Sequence, residues 1–362
     1  MEHLTKLRWS WMNALNLKRM KAIEERFGDL EKALSALSPD LLMELGLREE
    51  TALLTMNRLD ELDVSKYEME LKKRDLRLIA IDEDEYPALL KQVPDAPVFL
   101  YVRGNLKILG DPCVALVGAR EMSEYGRRVV SHLIPPLVTA GVVTVSGLAY
   151  GVDAEVARET LRIGGPTVAV LGHGLGMIYP KAHAKLADEI VKAGGLLLSE
   201  FPLDIQPDQY TFPARNRIIA GLSLGTVVVE AAEGSGSLIT ADLALDYNRD
   251  VFAVPGQLFD PNYRGCHQLI GRGHAKLVTD ATEILAELGV VAPTLPLGDR
   301  PTFVAGSEEE TKIYGTLSTM PQSLDDLVVK SKLDAAAANA TLTILELKGA
   351  VRNVGGGQWV RA

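Results

Sequence analysis

Residues 210–240 read Y-T-F-P-A-R-N-R-I-I-A-G-L-S-L-G-T-V-V-V-E-A-A-E-G-S-G-S-L-I-T and contain the repeating unit of the predicted fold. An apolar helix is expected to begin near Pro213, because proline suits the first position of a helix. The valine-rich run at 226–229 predicts a buried strand. Glycine and serine residues after Glu230 predict a turn into a second helix. Helix, strand and helix in one short segment indicate an α/β domain.

Two arginines in this stretch stand in an unusual place. Arg215 and Arg217 fall in what Pro213 predicts to be the first turn of the helix. Cations belong at the other end, because the helix dipole is already positive at its N-terminus. We therefore expect an anion close to the two guanidinium groups. It is either an internal carboxylate, with Glu200 and Glu230 as candidates, or a bound ligand.

The strand pattern of this stretch recurs along the central part of the chain. The runs are short and apolar on both faces, and segments long enough for helices separate them, as in buried parallel sheets. The predicted strands are residues 113–117, 142–146, 167–171, 196–199, 226–229, 250–254 and 276–278, preceded by a strand-like run at 76–81 and an apolar run at 98–101. This order predicts an α/β fold with an extended Rossmann-like, doubly wound, mostly parallel sheet.

Glycine, small hydroxyl and cationic residues follow nearly every predicted strand. Gly118 and Arg120 follow one strand, and Ser146 and Gly147 stand at the end of the next. Ligands of doubly wound sheets bind beyond the carboxyl ends of the strands. Glycine lets a phosphate approach the backbone, and N–H groups at helix starts can hold it. We therefore expect a phosphate-bearing ligand at this edge of the sheet.

Three side chains at the same edge have alternative interpretations. Arg120 follows a buried strand, and this position favours an anionic ligand over a purely structural role. Lys181 follows Tyr179-Pro180, and its sequence context does not decide between the two. Phe212 stands near Arg215 and is either a hydrophobic staple of the helix or a platform on which a base can stack.

Composition limits the class of protein. The 362 residues are 47% apolar and 24% charged, which indicates a globular chain of two or three domains. The net charge of −10 argues against a broad basic surface but allows a local basic groove. Cys113 and Cys266 are the only cysteines, which favours a reducing compartment. With no signal-like segment and no apolar run of about 20 residues, we expect a cytoplasmic protein without a membrane span.

The sequence does not support an assignment to a known catalytic or cofactor-binding motif. Gly172-x-Gly174-x-Gly176 follows the third strand of the regular series rather than the first, unlike a dinucleotide fingerprint. The histidines lack the spacing of metal ligands, and the nucleotide-binding G-x-x-x-x-G-K-[ST] motif does not occur. We therefore predict a protein that is not an enzyme and that carries neither a cofactor nor a metal.

The two ends of the chain predict smaller domains. Residues 1–75 have helical spacing typical of a helix-hairpin-helix or SAM-like domain, and the sheet domain is expected at 76–289. Residues 290–306 read as a linker interrupted by proline and glycine. Residues 307–362 predict three helices and a β-wing, as in a winged helix. This last segment holds six basic and seven acidic residues. Protein contact, or contact of the wing residues Arg352 and Arg361 with the DNA backbone, is therefore favoured over groove reading in DNA.

Six motifs of the central domain occur together in one order. They include V-G-A-R-x-x-S-x-Y-G from Val117, V-S-G-L-A-x-G-V-D-A from Val145, F-P-A-R-N-R-I-I-A-G-L-S from Phe212 and G-S-L-I-T-A from Gly236. This series resembles the DNA-processing protein A (DprA/Smf) family. The resemblance implies a single-stranded-DNA-binding protein of natural transformation that delivers the strand to a RecA-type recombinase. It also implies a homodimer formed through the Rossmann-like domain.

The resemblance also implies a set of DNA-binding residues. Matched position by position, these are Gly118, Arg120, Ser123, Ser146, Gly147, Lys181, Phe212, Arg215, Asn216, Arg217, Gly236 and Ser237. The physical interpretation agrees, because backbone N–H groups and a few cations can hold successive phosphates while a ring stacks on a base.

A second, weaker resemblance leaves an enzymatic alternative open. Residues 221–230, G-L-S-L-G-T-V-V-V-E, look like a distant form of the signature of LOG-type nucleotide phosphoribohydrolases. The first Gly-Gly pair of that signature is absent here. A nucleotide-sensing protein with the same pocket is a further alternative.

Overall fold

The computed structural model describes residues 1–291, 305–318 and 321–361. Most of the linker predicted at 290–306 lies outside the described residues. The chain divides into two compact units, Met1–Pro293 and Thr294–Ala362. Each unit has its own hydrophobic core, and each is described by itself below.

One sheet organises the first unit. Its strands are β1 Arg77–Ala80, β2 Phe99–Gly104, β3 Cys113–Gly118, β4 Val143–Ser146, β5 Thr167–Val170, β6 Leu196–Ser199, β7 Gly225–Glu230, β8 Asp250–Ala253 and β9 Lys276–Leu277. They lie in the order β1-β2-β6-β5-β4-β3-β7-β8-β9. The strands from β3 onward are parallel, and β1 and β2 are antiparallel. The predicted mostly parallel, doubly wound sheet is confirmed, and the predicted ends of the strands from β3 onward are displaced by at most one residue.

The strand order creates a crevice beside β3. The chain moves outward from β3 through β4 and β5 to β6, and then crosses back to place β7 on the other side of β3. The loops that leave β3 and β7 therefore diverge at the carboxyl edge of the sheet. Such a switch point is where ligands bind in this class of sheet.

Helices cover the sheet and precede it. The N-terminal helices are α1 His3–Met12, α2 Leu17–Phe27, α3 Leu30–Ser35, α4 Pro39–Glu44, α5 Glu49–Asp60 and α6 Val64–Lys73. The helices that follow are α7 Ala88–Lys91, α8 Glu124–Thr139, α9 Val152–Arg162, α10 Ala184–Lys192, α11 Thr211–Leu222, α12 Gly236–Asp246, α13 Arg264–Gly271 and α14 Ala281–Glu287. Short 3-10 helices occupy Leu106–Gly110, Lys181–His183 and Pro261–Tyr263. No helix in the described part of the chain is both long and apolar enough to cross a membrane.

The N-terminal helices share a hydrophobic core with the sheet. Trp9 and Ile23 belong to the same cluster of buried side chains as the residues of β2. The buried hydroxyl of Tyr67 on α6 donates a hydrogen bond to Tyr101 on β2 over 2.8 Å. The helices predicted for residues 1–75 are thus present, whereas the predicted domain boundary at 75 stays a prediction.

The second unit has the predicted winged-helix arrangement among its described residues. Its elements are α15 Glu308–Thr316, β10 Gln322–Ser323, α16 Leu324–Ser331, α17 Ala335–Leu347, β11 Val351–Asn353 and β12 Gln358–Arg361. The three helices and Trp359 enclose a small core around Leu327 and Leu342. β11 and β12 pair antiparallel and form the wing, and glycines with positive φ at 355–357 make its turn.

Replacing Tyr67 by phenylalanine tests the integration of the N-terminal helices. The substitution removes a buried hydrogen bond to Tyr101 and should lower the free energy of unfolding by about 1–3 kcal/mol. Urea unfolding monitored by circular dichroism measures the change. The matched control is Tyr210→Phe, because this side chain is exposed, and it should shift stability by less than about 0.5 kcal/mol. Equal stability of the two variants would contradict the buried hydrogen bond between Tyr67 on α6 and Tyr101 on β2.

Candidate nucleic-acid interface

The loop after β3 lies directly on the first turn of α9. Gly118 has no side chain to collide with Val152, and Gly151, at φ +73°, has none to collide with the backbone of Ala119 and Arg120. The Val152 N–H donates to the Ala119 oxygen at 3.1 Å. This close backbone approach holds the loop in place and directs the exposed Arg120 side chain outward.

Phe212 and Arg120 form a ledge at the edge of the sheet. The Arg120 guanidinium carbon lies 5.3 Å from the centre of the Phe212 ring. Tyr179 stands on the same ring at a centroid distance of 6.1 Å. Gly172 lets the Phe212 ring pack close to the loop after β5. Within the described residues, Arg120 has no carboxylate partner, so its charge is available to an anion.

Helix α11 begins earlier than the sequence predicted. Its first residue is Thr211 rather than Pro213, so Arg215 and Arg217 lie in the second turn and not in the first. A polar turn explains the early start, because Tyr210 N–H donates to Asp208 Oδ1 at 2.9 Å and the Thr211 hydroxyl bonds the Asp208 backbone oxygen at 2.9 Å. The unfavourable position in the helix dipole that was predicted for the two arginines is therefore relieved.

Arg217 forms an ion pair with the internal carboxylate of Glu200. Its Nη2 donates to Glu200 Oε2, and its Nε donates to the Ala214 oxygen at 3.1 Å. Burial raises the pKa of the Glu200 carboxyl, and the Arg217 charge opposes this rise. The prediction that Glu200 orients an arginine is confirmed. A DNA contact by Arg217 stays a prediction, and it would require this buried pair to open.

Arg215 is buried against the backbone. Only 4% of the residue is exposed, and its Nη1 donates to the Val170 oxygen at 2.6 Å. Gly147 accommodates the guanidinium, because any side chain there would collide with it. Burial lowers the pKa of Arg215, and the nearby Asp153 charge opposes this decrease.

Glu230 does not pair with either arginine. It is fully buried, and its carboxylate accepts hydrogen bonds from the Ser123 hydroxyl at 2.7 Å and the Tyr263 hydroxyl at 3.1 Å. Gly126 leaves room for it on α8. The hypothesis that Glu230 supplies the anion for Arg215 or Arg217 is therefore wrong. Glu230 instead fixes Ser123, which caps α8 by accepting from Gly126 N–H at 3.0 Å.

The N-terminus of α12 faces the crevice. Ser235 caps the helix and shares a 2.8 Å hydrogen bond with the Ser237 hydroxyl. Nothing lies against the open side of Gly236. Asn216 on α11 donates to the Gly236 oxygen at 3.3 Å and so joins the two helices. Backbone N–H groups at a helix start in such a setting can hold an anion.

These elements enclose two adjoining hollows that share Arg120, Ala149 and Phe212. The larger has a volume of about 570 Å³ and is lined by Val117, Gly118, Arg120, Ala149, Asp153, Gln209, Phe212, Pro213, Arg215, Asn216, Ile219, Ser235, Gly236, Ser237, Ile239 and Thr240. The smaller, of about 40 Å³, is lined by Arg120, Gly147, Ala149, Tyr150, Leu171, Gly172, His173, Tyr179, Pro180 and Phe212. Most of the predicted site residues thus lie together at the switch point.

Four predicted site residues do not line either hollow. Ser123 and Arg217 are engaged as described above. Ser146 is buried, and its hydroxyl donates to the Leu116 oxygen at 2.8 Å. Lys181 is exposed at the start of a 3-10 helix, after the cis Tyr179-Pro180 bond. A DNA contact by any of the four stays a prediction.

Asp153 and His173 line the hollows, although neither was predicted as a site residue. Asp153 lines the larger hollow, and His173 lines the smaller. His173 Nε2 accepts from Tyr179 N–H at 3.2 Å, and its Nδ1 donates to the Gly174 oxygen at 3.0 Å, as in a neutral ring. Burial lowers the pKa of His173, in agreement with that state. The signal for both was their place in a strand-end loop, but sequence does not show which loop side chains turn inward.

Among the described residues, no cluster of His, Cys, Asp or Glu is arranged to hold a metal ion.

Comparison with known proteins identifies two matching family models. Residues 77–289 match the model of DNA recombination-mediator protein A, and residues 299–357 match the DprA winged helix domain. Protein Smf of Escherichia coli is 43% identical over 243 residues, which are 67% of this chain and 65% of that protein. The DNA processing protein DprA of Streptococcus pneumoniae is 45% identical over 232 residues, 64% of this chain and 80% of that protein. Protein Smf of Synechocystis is 33% identical and covers 98% of both chains.

Two solved structures have a similar fold. The X-ray structure of DprA from Streptococcus pneumoniae has a TM-score of 0.64 and 39% identity over 78% of this chain and 95% of that chain. A Helicobacter pylori DprA structure has a TM-score of 0.53 and 30% identity over 59% of this chain and 95% of that chain. The latter structure is described as giving insights into a single-stranded DNA binding mode of that protein.

The substitution Gly147→Ala tests the buried position of the Arg215 guanidinium. In Gly147→Ala the new carbon would collide with the Arg215 guanidinium, and the forced shift should cost about 1–3 kcal/mol of stability. Thermal unfolding measures the loss. Gly110→Ala is the matched control, because nothing lies near that glycine. A Gly147→Ala protein as stable as the control would show that the Arg215 guanidinium does not lie against Gly147.

Proposed function

This chain belongs to the DNA recombination-mediator protein A family, and on that premise we propose that it binds single-stranded DNA across the Phe212–Arg120 ledge and helps to load a RecA-type recombinase during DNA uptake and transformation. The observation that carries the proposal is the 5.3 Å contact between the half-buried Phe212 ring and Arg120, which has no carboxylate partner in the described part of the chain. A base stacked on such a ring contributes roughly 1–3 kcal/mol.

Phosphates of the strand are proposed to lie on both sides of the ledge. The start of α12 offers backbone N–H groups beside the open face of Gly236. Arg120 adds a cation that can reach a phosphate without breaking an internal pair. The residues proposed to contact or shape the DNA path are Gly118, Arg120, Ser123, Ser146, Gly147, Lys181, Phe212, Arg215, Asn216, Arg217, Gly236 and Ser237.

Electrostatics outside the crevice favour a restricted contact. The chain carries a net charge of −10, so most of its surface repels DNA. A flexible single strand can bend into a crevice lined by loops, whereas a stiff duplex cannot follow the same path. Preference for single strands is therefore part of the proposal.

Partners beyond DNA are proposed on the family relationship. The recombinase is one, and a second copy of the chain joined through the Rossmann-like domain is the other. β9 is an edge strand, and Leu277 on it is partly exposed. An unpaired edge of this kind supports pairing with a second copy. A cytoplasmic location stays a prediction.

The hydrolase alternative is weakened by the position of Glu230. That residue ends the stretch resembling the phosphoribohydrolase signature, yet it is fully buried and held by Ser123 and Tyr263. It does not line either hollow, so it cannot reach a bound nucleotide without rearrangement. The family is one of recombination mediators, which agrees with the prediction of a protein that is not an enzyme.

Binding to a fluorescent oligonucleotide tests the proposed function. The full chain should prefer the single strand to the duplex, with a log-log salt slope of about −2 to −4. Arg120→Glu and Phe212→Ala should each weaken binding about tenfold or more, since one reverses a phosphate contact and the other removes a stacking surface. Lys107→Glu is the control, because it makes the same charge change beyond β2, at the opposite edge of the sheet. Equal binding by wild type and Arg120→Glu would refute DNA binding at the Phe212–Arg120 ledge.

The salt slope separates direct phosphate contacts from internal pairs. Arg120→Gln should reduce the magnitude of the slope by about 0.7, the value for one phosphate contact in single strands. Arg217→Gln should weaken binding without changing the slope, because the Arg217 guanidinium is paired with Glu200. Anisotropy titrations at several salt concentrations give both values. A slope change in Arg217→Gln equal to that of Arg120→Gln would show that Arg217 leaves Glu200 and contacts a phosphate.

A further inference from the structure

One carboxylate stands in the larger hollow among groups suited to an anion. Asp153, in the first turn of α9, lines this cavity although only 8% of the residue is exposed. Its Oδ2 accepts one hydrogen bond, from Ala149 N–H at 3.3 Å. Within the described residues, no lysine or arginine forms an ion pair with it. Arg215 is nearby but donates instead to the Val170 oxygen. Asp153 therefore keeps free acceptor capacity at the cavity wall.

The cavity is lined by two chemically different kinds of group. Gly236 and Ser237 at the start of α12, together with Arg120, suit a phosphate. Asp153 repels a phosphate and attracts a hydrogen-bond donor, because an ionised carboxylate can only accept. Phe212 and Ile219 supply apolar wall in the same cavity. A volume of about 570 Å³ falls within the usual range of small-molecule sites. One nucleotide combines the two complementary features, an anionic phosphate and a base edge that carries hydrogen-bond donors.

We propose that this cavity holds one nucleotide of the bound strand, that Asp153 accepts hydrogen bonds from the edge of its base, and that guanine is the preferred base. Guanine presents two adjacent donors, N1–H and the N2 amino group, which a carboxylate accepts as a pair. Adenine and cytosine present an amino group beside a ring nitrogen that is itself an acceptor. Thymine presents one N–H between two carbonyl oxygens, which the carboxylate repels. The inference rests on the proposed function and adds a base preference to it.

A structural role for Asp153 makes a different prediction. A carboxylate in the first turn of α9 is favourable with the helix dipole, and its bond to Ala149 fixes the loop. In both roles the Asp153 carboxylate interacts with the backbone of its own loop and helix. Neither of them gives one base an advantage over another, so base preference separates the two roles.

Strands of equal length and different base content test the proposal. The full chain is titrated with an oligothymidine, with the same strand carrying sparse guanines, and with one carrying hypoxanthine, which lacks the N2 amino group. We expect the guanine strand to bind about tenfold more tightly than oligothymidine, with hypoxanthine between them. In Asp153→Asn the ratio of guanine to thymine affinity should fall below about two. Asp242→Asn, an exposed change of equal charge on α12, should keep the wild-type ratio.

Two outcomes would overturn the proposal. One is equal affinity of wild type for the three strands, and the other is an unchanged ratio in Asp153→Asn. Damage to the fold would lower both affinities together and leave their ratio intact, so the ratio is the deciding value. If wild type binds no strand, the proposed function fails. Calorimetric titration with dGMP and dTMP then still decides whether the cavity prefers guanine, since equal or absent binding of both nucleotides would refute it.

Discussion

Close backbone approach at glycine positions is the constraint on which the candidate interface depends. Gly118 and Gly151 let the loop after β3 lie on the start of α9, and Gly147 makes room for the buried Arg215 guanidinium. Side chains at these positions would push the strand-end loops apart. The glycines instead keep these loops close to the switch point between β3 and β7, where Arg120, Phe212 and the start of α12 line one cavity. The position of the functional groups follows from these contacts.

The charges of the interface are divided between an interior set and an exposed set. Glu200 holds Arg217, the Val170 oxygen holds Arg215, and Ser123 and Tyr263 hold Glu230. Glu200 and Arg217 form an ion pair, whereas Arg215 and Glu230 are held by neutral groups, and together these contacts orient α11 and the loop after β3. Arg120 is left outside this network, against the Phe212 ring. Arg120, which has no carboxylate partner among the described residues, adds no large cost in stability, because the exposed guanidinium stays solvated.

The sheet and the winged-helix unit could be predicted because their signals are local. Signals such as the apolar run 196–199 and the glycine and serine residues after Glu230 depend on few neighbours, and the strand and the turn into a helix appear where expected. Pairing over long sequence distances could not be predicted in the same way. Sequence offered Glu200 and Glu230 as equal partners for the arginines, and only the fold distinguishes them. The Val170 oxygen as the partner of Arg215 has no sequence signal, since every residue carries a carbonyl group.

Photo-crosslinking tests directly whether a single strand crosses the sheet edge over the ring of Phe212. A strand carrying 5-bromodeoxyuridine is irradiated in complex with the full chain, and the modified peptides are identified by mass spectrometry. We expect crosslinks at Phe212 or at Tyr179, which packs on the same ring. Efficient crosslinking confined to residues outside the two hollows, with none at either aromatic side chain, would contradict this expectation.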